Sequence, residues 1–348
     1  MNAYDPTRDP RLDPRVVPFL QLMAGMGGNL GGDISDRDSY VAEANTPEAL
    51  AASEAFAGMD DFAAVPEEGL RSEILEFTSS PDGNTIKINH IRPDTDAVLP
   101  CVYYIHGGGM MMGSAFYGHY KTWGRLLAKQ GFAVLMVDFR NCLTPSSAPE
   151  VVPFPGGLND CVAGFHWARQ QAAALKLDGD RILIAGESGG GNLAIATTMK
   201  LIRDGHGEAL HGLYALCPYI AGRWPQAELP SSSENDGIFI TVGNNRGAMA
   251  YGIEALEARN PLAWPSFSKE ADVSAFPPTM IIVNECDPLR DEGIAFYRLL
   301  LRAGVKAQCR QVMGTAHGGD LMVSLHTDIS RTTARDLAGW HEECGLER

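Results

Sequence analysis

The sequence predicts an α/β fold in which a mainly parallel, eight-stranded sheet is flanked by helices, and two observations support this class. From about residue 71, short runs rich in β-branched and aromatic residues alternate with longer segments of helical periodicity. Several runs, such as residues 134–137 (VLMV), are wholly apolar, which predicts strands buried on both faces of the sheet. With 348 residues, 45% of them apolar, the chain is long enough for one large core.

The predicted elements follow one another in a regular order. Eight strands are predicted at residues 71–78, 85–92, 101–106, 132–139, 181–186, 212–217, 279–285 and 307–314. Helices are predicted at residues 119–130, 159–175, 191–204, 292–304 and 327–343. This alternation of strand and helix is typical of parallel pairing.

Two stretches do not fit the alternation. Residues 1–66 are rich in Asp, Pro, Ala and Gly, and residues 219–265 interrupt the series between two predicted strands. Active sites of open α/β sheets lie at the carboxyl ends of the strands, where long insertions fold over them. We expect residues 1–66 to form the N-terminal part of a helical cap and residues 219–265 a cap insertion, within a catalytic domain of residues 67–348. Surface loops are the alternative.

Charge and cysteine content limit the partners and the compartment. The formal net charge of −15 disfavours nucleic acid and anionic membrane as partners, because both are polyanions. The seven cysteines are odd in number and widely spaced, and several lie in apolar runs, which is typical of buried thiols in a reducing compartment. The sequence has no signal-peptide pattern and no run of 18 apolar residues. We expect a cytoplasmic protein without a membrane span that acts on a small molecule.

A glycine-rich turn carries a single serine. Residues 186–190 read GESGG and lie between a predicted strand and a predicted helix. Gly-x-Ser-x-Gly in this context is the nucleophile elbow, whose flanking residues must be small because strand and helix nearly collide there. A flexible loop is the alternative, whereas the glycine spacings of P-loops and dinucleotide sites do not match. The pattern therefore makes Ser188 the candidate nucleophile.

A second glycine run, residues 106–109 (HGGG), leaves the end of the predicted strand at 101–106. Acyl transfer places negative charge on an oxygen, and glycines let backbone N–H groups converge on that oxygen. We expect Gly108 and Gly109, together with Gly189 after the serine, to form an oxyanion hole. A glycine-rich turn beside a core histidine is the alternative for this run taken alone.

An activated serine needs a base, and the base needs an orienting carboxylate. His317 lies in a glycine-containing loop just after the last predicted strand, whereas His341 lies on the C-terminal helix and is expected to be solvated. Asp287 directly follows the strand at 279–285. Asp291 and Glu292 fall in the first turn of the next helix, where stabilisation of the helix dipole explains them.

The chain order Ser188, Asp287, His317 is that of α/β hydrolases. With the HGGG run, the serine elbow, residues 287–293 (DPLRDEG) and the histidine loop, the chain resembles the hormone-sensitive-lipase-like branch of α/β-hydrolase carboxylesterases over about residues 70–345. The resemblance implies the α/β-hydrolase fold with a helical cap, a carboxylic ester hydrolase without a cofactor, and a homodimer. It also implies a catalytic triad of these three residues and an oxyanion hole of Gly108, Gly109 and Gly189.

The substrate pocket is less defined. Met110 and Met111 follow the HGGG run, and flexible thioethers suit an adaptable pocket, although packing under the cap explains them equally well. The elbow has Glu187 where many family members have aspartate, and this acid either adjusts the pocket or supports a hydrogen bond. We assign all three to the pocket. No metal site is predicted, since the C-terminal HEEC stretch lacks enough partners for zinc.

The expected reaction is hydrolysis of small to medium esters, with short acyl chains and including lactones, through an acyl-enzyme on Ser188. Two other functions use the same scaffold. One is a non-catalytic receptor for a small ligand, and the intact serine, acid and histidine argue against it because a receptor does not need them. An amidase or acyltransferase keeps all three and differs in its pocket, which the motifs do not reveal.

Overall fold

A computed structural model describes residues 8–25, 32–51 and 58–346 of the chain. Its strands are β1 (Leu70–Thr78), β2 (Thr85–Pro93), β3 (Leu99–Ile105), β4 (Ala133–Asp138), β5 (Leu177–Glu187), β6 (Gly212–Leu216), β7 (Thr279–Cys286) and β8 (Ala307–Ala316). They form one sheet in the order β1-β2-β4-β3-β5-β6-β7-β8. Strand β2 is antiparallel to both of its neighbours, and the other pairs are parallel. The predicted α/β-hydrolase fold is confirmed.

Helix is present at each of the five predicted positions, and further short helices lie in the N-terminal segment and between β6 and β7. The helices are α1 (Val17–Gly25), α2 (Arg37–Ala44), α3 (Gly118–Ala128), α4 (Gly156–Gln170), α5 (Ala172–Leu175), α6 (Gly189–Arg203), α7 (Ser231–Glu234), α8 (Arg246–Tyr251), α9 (Ile253–Glu257), α10 (Glu270–Val273), α11 (Arg290–Arg302) and α12 (Thr327–Gly345). The segment predicted as one helix at 159–175 divides into α4 and α5. Strand β5 starts earlier than predicted, at Leu177.

The sheet is buried on both faces. All six residues of β4 are buried, as a central strand requires. Helices α4, α6 and α11 cover one face, and Phe165, Leu193 and Phe296 belong to the core on that side. Helices α3 and α12 cover the other, where Trp123 and Trp340 are buried. These layers fix the carboxyl ends of β5, β7 and β8, where the candidate site residues lie.

A smaller apolar cluster joins the N-terminal segment to the last residues of β7 and β8 and to Ile238 of the inserted segment. Its buried members are Leu12, Val16, Leu20, Ile238, Cys286 and Ala316. In addition, Arg37 of α2 donates to the carbonyl oxygens of Ala250 (3.1 Å) and Cys142 (2.8 Å). Residues 1–7, 26–31 and 52–57 of the predicted N-terminal cap lie outside the described residues. The assignment of 1–66 and 219–265 to a cap stays a prediction.

The interior corrects one expectation about a histidine. His341 is 1% exposed rather than solvated, with its Nε2 3.1 Å from the carbonyl oxygen of Arg181. Burial lowers the pKa of His341 to about 4. The signal was present in the sequence, since residues 337, 340, 341 and 344 have the spacing of one buried helix face.

All seven cysteines lie in the described residues and are free thiols, and six of them are buried. Within residues 8–25, 32–51 and 58–346, the helices are too short or too polar to span a bilayer.

Candidate active site

Ser188 lies at the sharp turn between β5 and α6. Its φ of 56° and ψ of −121° place a non-glycine residue in a strained backbone region. The turn is held from both sides, because the Ser188 N–H donates to the carbonyl oxygen of Leu216 (2.9 Å) and its own carbonyl accepts from the Tyr219 N–H (3.0 Å). Ser188 is partly exposed between two buried neighbours. The fold therefore presents the hydroxyl at the carboxyl end of the sheet.

The glycines of the elbow allow main chain to lie against main chain. A Cβ on Gly190 would lie 2.0 Å from the carbonyl oxygen of Ile105, at the end of β3. A Cβ on Gly189 would lie 2.4 Å from the Met110 nitrogen and 2.7 Å from Gly109. The HGGG loop therefore rests directly on the first turn of α6, where the helix dipole favours negative charge. This places the backbone of Gly109 beside that of Gly189.

Three side chains from three strand ends form a continuous chain of hydrogen bonds. His317 Nε2 lies 2.8 Å from Ser188 Oγ, and His317 Nδ1 lies 2.8 Å from Asp287 Oδ2. Asp287 is fully buried, and its other oxygen accepts from the Leu289 N–H at 2.9 Å. A carboxylate that accepts from Nδ1 leaves Nε2 free to take the serine proton. The structure thus brings all three predicted triad residues together in a geometry suited to nucleophilic attack.

The loop after β8 is held by residues that the sequence did not single out. The Asn284 amide accepts from the Gly318 N–H (3.1 Å) and donates to Asp320 (3.0 Å), a buried carboxyl whose pKa is raised by burial. Asn235 donates to the carbonyl oxygen of Asp287 at 3.0 Å. These bonds brace the backbone next to His317 and Asp287. An isolated polar residue, whether in a strand like Asn284 or in a loop, carries no pattern that marks it beforehand.

A cysteine lies beside the hydrogen-bonded residues. Within the described part of the chain, Cys217, Asp287 and His317 place potential ligand atoms within 4.8 Å of one another. Asp287 and His317 are already hydrogen-bonded to each other. Burial raises the pKa of the Cys217 thiol. Cys217 therefore faces the site as a neutral thiol. That the reaction needs no metal stays a prediction.

The three residues assigned to a substrate pocket have different environments. Met110 is 1% exposed and packs in the core, and Met111 is partly buried against it. Glu187 is 5% exposed, and its carboxylate lies among Gly107, Tyr104 and Tyr120. The pocket role of all three residues stays a prediction. Of the two roles considered for Glu187, the structure shows hydrogen bonds to its carboxylate.

Comparisons with known proteins identify the family of the chain. The family model of the α/β hydrolase fold matches residues 102–320, more than half of the chain. The chain is 30% identical over 254 residues to esterase LipI of Mycobacterium tuberculosis (73% of this chain, 75% of that protein) and 31% identical over 243 residues to carboxylesterase NlhH of the same species (69% and 72%).

Solved structures extend the likeness over nearly the whole chain. Esterase Est22 with p-nitrophenol is 53% identical with a TM-score of 0.93, covering 97% of this chain and 99% of that one. Brefeldin A esterase, described as a bacterial homologue of human hormone-sensitive lipase, is 35% identical with a TM-score of 0.87, covering 99% and 96%.

The chain therefore belongs to the α/β-hydrolase family. Within it, the predicted resemblance to hormone-sensitive-lipase-like carboxylesterases is confirmed, and so is the prediction of a carboxylic ester hydrolase.

Proposed function

We propose that this enzyme hydrolyses carboxylic esters through a covalent acyl-enzyme on Ser188. The observation that carries the proposal is the pair of 2.8 Å contacts that joins Ser188, His317 and Asp287. A serine hydroxyl is a weak nucleophile at neutral pH, and a histidine oriented by a buried carboxylate activates it.

The proposed reaction has two stages. His317 Nε2 takes the proton of Ser188 Oγ while Oγ bonds to the ester carbonyl carbon, and the carbonyl oxygen becomes an oxyanion. Backbone N–H groups of Gly108, Gly109 and Gly189 stabilise that charge. The tetrahedral intermediate collapses, His317 gives its proton to the leaving alcohol, and an acyl-enzyme remains. Water then attacks by the same route, with His317 again as base, and releases the acid.

We propose small to medium esters with short acyl chains as substrates, with lactones included. His317 is only 6% exposed and Asp287 is fully buried, so the ester reaches the triad at the partly exposed Ser188. Lactones present the same acyl carbon to the serine. The likeness to an esterase whose structure was solved with p-nitrophenol makes p-nitrophenyl esters suitable probes.

The remaining expectations complete the proposal. We assign residues 1–66 and 219–265 to a cap, which is supported by the packing of the N-terminal segment beside Cys286 and Ala316. Seven free thiols support a reducing compartment such as the cytoplasm. A homodimer is proposed from the family resemblance alone.

The test compares wild type with Ser188→Ala on p-nitrophenyl esters from acetate to palmitate. We expect the highest kcat/KM on short chains, and a loss on the order of 10⁶ in kcat for the variant. Thermal unfolding of both proteins checks that the fold is kept. A loss of less than tenfold would remove Ser188 from the mechanism. If both folded proteins were inert on every ester, the receptor function would be favoured instead.

A further inference from the structure

Glu187, the residue before Ser188, places a buried carboxylate inside the elbow. Three neutral donors hold it: Tyr104 Oη donates to Oε2 at 2.5 Å, and Tyr120 Oη and the Gly107 N–H donate to Oε1 at 2.5 and 2.6 Å. The two tyrosines come from β3 and α3, and Gly107 begins the loop that follows β3. One carboxylate thus connects the serine strand to the candidate oxyanion loop.

Gly107 is the point at which this connection reaches the loop. Its N–H is shared between Glu187 Oε1 and Tyr120 Oη (2.9 Å). A Cβ at Gly107 would lie 2.5 Å from Glu187 Oε1 and 3.2 Å from the Glu187 carbonyl oxygen, so the loop begins in direct contact with Glu187. Two residues further on, Gly109 rests against Gly189. Residues 107–109 are therefore fixed at one end by Glu187 and at the other by the residue after Ser188.

We propose that Glu187 is a positioning residue, which fixes residues 107–109 relative to Ser188 and so aims the oxyanion-hole N–H groups. The inference rests on the proposed ester hydrolysis at Ser188. Glu187 acts through Gly107 and does not touch the substrate. Because the oxyanion exists only in the transition state and the intermediates, loss of this alignment lowers kcat and leaves KM nearly unchanged.

The position requires a group that only accepts hydrogen bonds. An ionised carboxylate accepts at both oxygens, whereas the amide of glutamine turns an NH₂ group toward one set of donors. Burial raises the pKa of Glu187 to about 7, so the acceptor-only carboxylate is the main form above pH 7, and kcat is compared there. The titratable groups that face it are Tyr104, Tyr120 and Cys217. Burial also raises the pKa of both tyrosines far above neutral pH, so they stay O–H donors.

The chain offers a matched control in Glu292. Its carboxylate is also buried and also held by three neutral donors, the N–H groups of Ile220 and Ala221 and the Trp224 Nε1–H. None of these donors belongs to residues 107–109. The same substitution at both positions separates a loss of alignment from the general cost of placing an amide at a buried carboxylate site.

The experiment measures kcat and KM on p-nitrophenyl acetate for wild type, Glu187→Gln, Glu187→Asp and Glu292→Gln, with active sites counted by a fluorophosphonate. We expect Glu187→Gln to lower kcat about 10- to 100-fold per active site with KM within about threefold. Binding of a trifluoromethyl ketone, which mimics the tetrahedral intermediate, should weaken by a similar factor. Glu187→Asp should recover part of kcat, because it restores an acceptor-only group, and Glu292→Gln should keep kcat within about threefold.

Two results would overturn the inference: an unchanged kcat in Glu187→Gln, or an equal loss of kcat in Glu292→Gln. If Glu187→Gln does not fold, Tyr120→Phe removes one of the groups that hold Gly107 and should show a smaller loss of the same kind. Failure of the inference is distinct from failure of the proposed function, since the latter requires Ser188→Ala to remain active.

Discussion

The elbow around Ser188 and the inserted segment of residues 219–265 contact each other but are built in different ways. At the elbow, main chain lies on main chain, and a Cβ on Gly189 or Gly190 would approach backbone atoms to 2.4 or 2.0 Å. The inserted segment is held largely by side chains, such as Glu292, which binds the backbone at residues 220 and 221, and Asn192, which donates to the Ala263 carbonyl at 3.0 Å. The elbow has no room for added atoms, so its chemistry depends on backbone position. Substitutions of side chains that hold the inserted segment from outside, such as Glu292, should act mainly on stability.

Three substitutions test this contrast. Asp287→Asn, directly after β7, should have the largest effect on kcat. An amide at position 287 faces either the His317 Nδ1–H or the Leu289 N–H with its own NH₂ group, so the histidine is driven toward the wrong tautomer. We expect kcat to fall on the order of 10⁴-fold while the fold is kept. Asp291→Asn, four residues away, is the control. Equal losses in the two variants would show that the whole segment, and not the triad hydrogen bond, is sensitive.

Gly189→Ala tests the contact between backbones itself. The added methyl group must push away the main chain at residues 109 and 110, which displaces the candidate oxyanion donors. We expect kcat to fall about 10²- to 10³-fold, as when an oxyanion donor is removed.

The control for that variant is Gly339→Ala. Gly339 is exposed in α12, and its Cβ would meet no atom within 4 Å. The substitution should leave kcat unchanged and raise the free energy of unfolding by about 0.5–1 kcal/mol. A Gly189→Ala enzyme with wild-type kcat would contradict the close contact between loop and helix.

Glu292→Gln should have the smallest effect on catalysis and a pH-dependent effect on stability. Burial raises the pKa of Glu292 from 4.5 to about 8, so between these values the folded protein keeps a proton that the unfolded chain has lost. Protonation of Glu292 therefore stabilises the folded wild type. This stabilisation is complete below pH 4.5 and is lost as the pH rises toward 8. Since glutamine does not titrate, the variant should gain stability relative to wild type between pH 5 and pH 8. Urea unfolding at the two pH values measures this, and a difference that is constant or changes in the opposite direction would contradict the buried carboxylate.

The same contrast explains what the sequence could predict. The strands, the elbow and the candidates Ser188, Asp287 and His317 depend on local signals: apolar runs, glycine spacing and position at a strand end. The environments of Glu187 and Glu292 depend on donors far along the chain, such as Tyr104 for the first and Trp224 for the second. A carboxylate at a strand end, like Glu187, or in the first turn of a helix, like Glu292, gives no local sign that it is buried. The sequence interpretation of Glu292 as a dipole-stabilising residue therefore missed its role in holding residues 220–224.

The measurement that tests the central claim most directly is the location of the acyl group. Enzyme mixed rapidly with p-nitrophenyl acetate should release p-nitrophenol in a burst of one equivalent per active site, as expected when an acyl-enzyme accumulates. After an acid quench and proteolysis, mass spectrometry should find the acetyl group on Ser188. Hydrolysis at the wild-type rate with the acetyl group on another residue, or continued turnover of Ser188→Ala, would contradict the account.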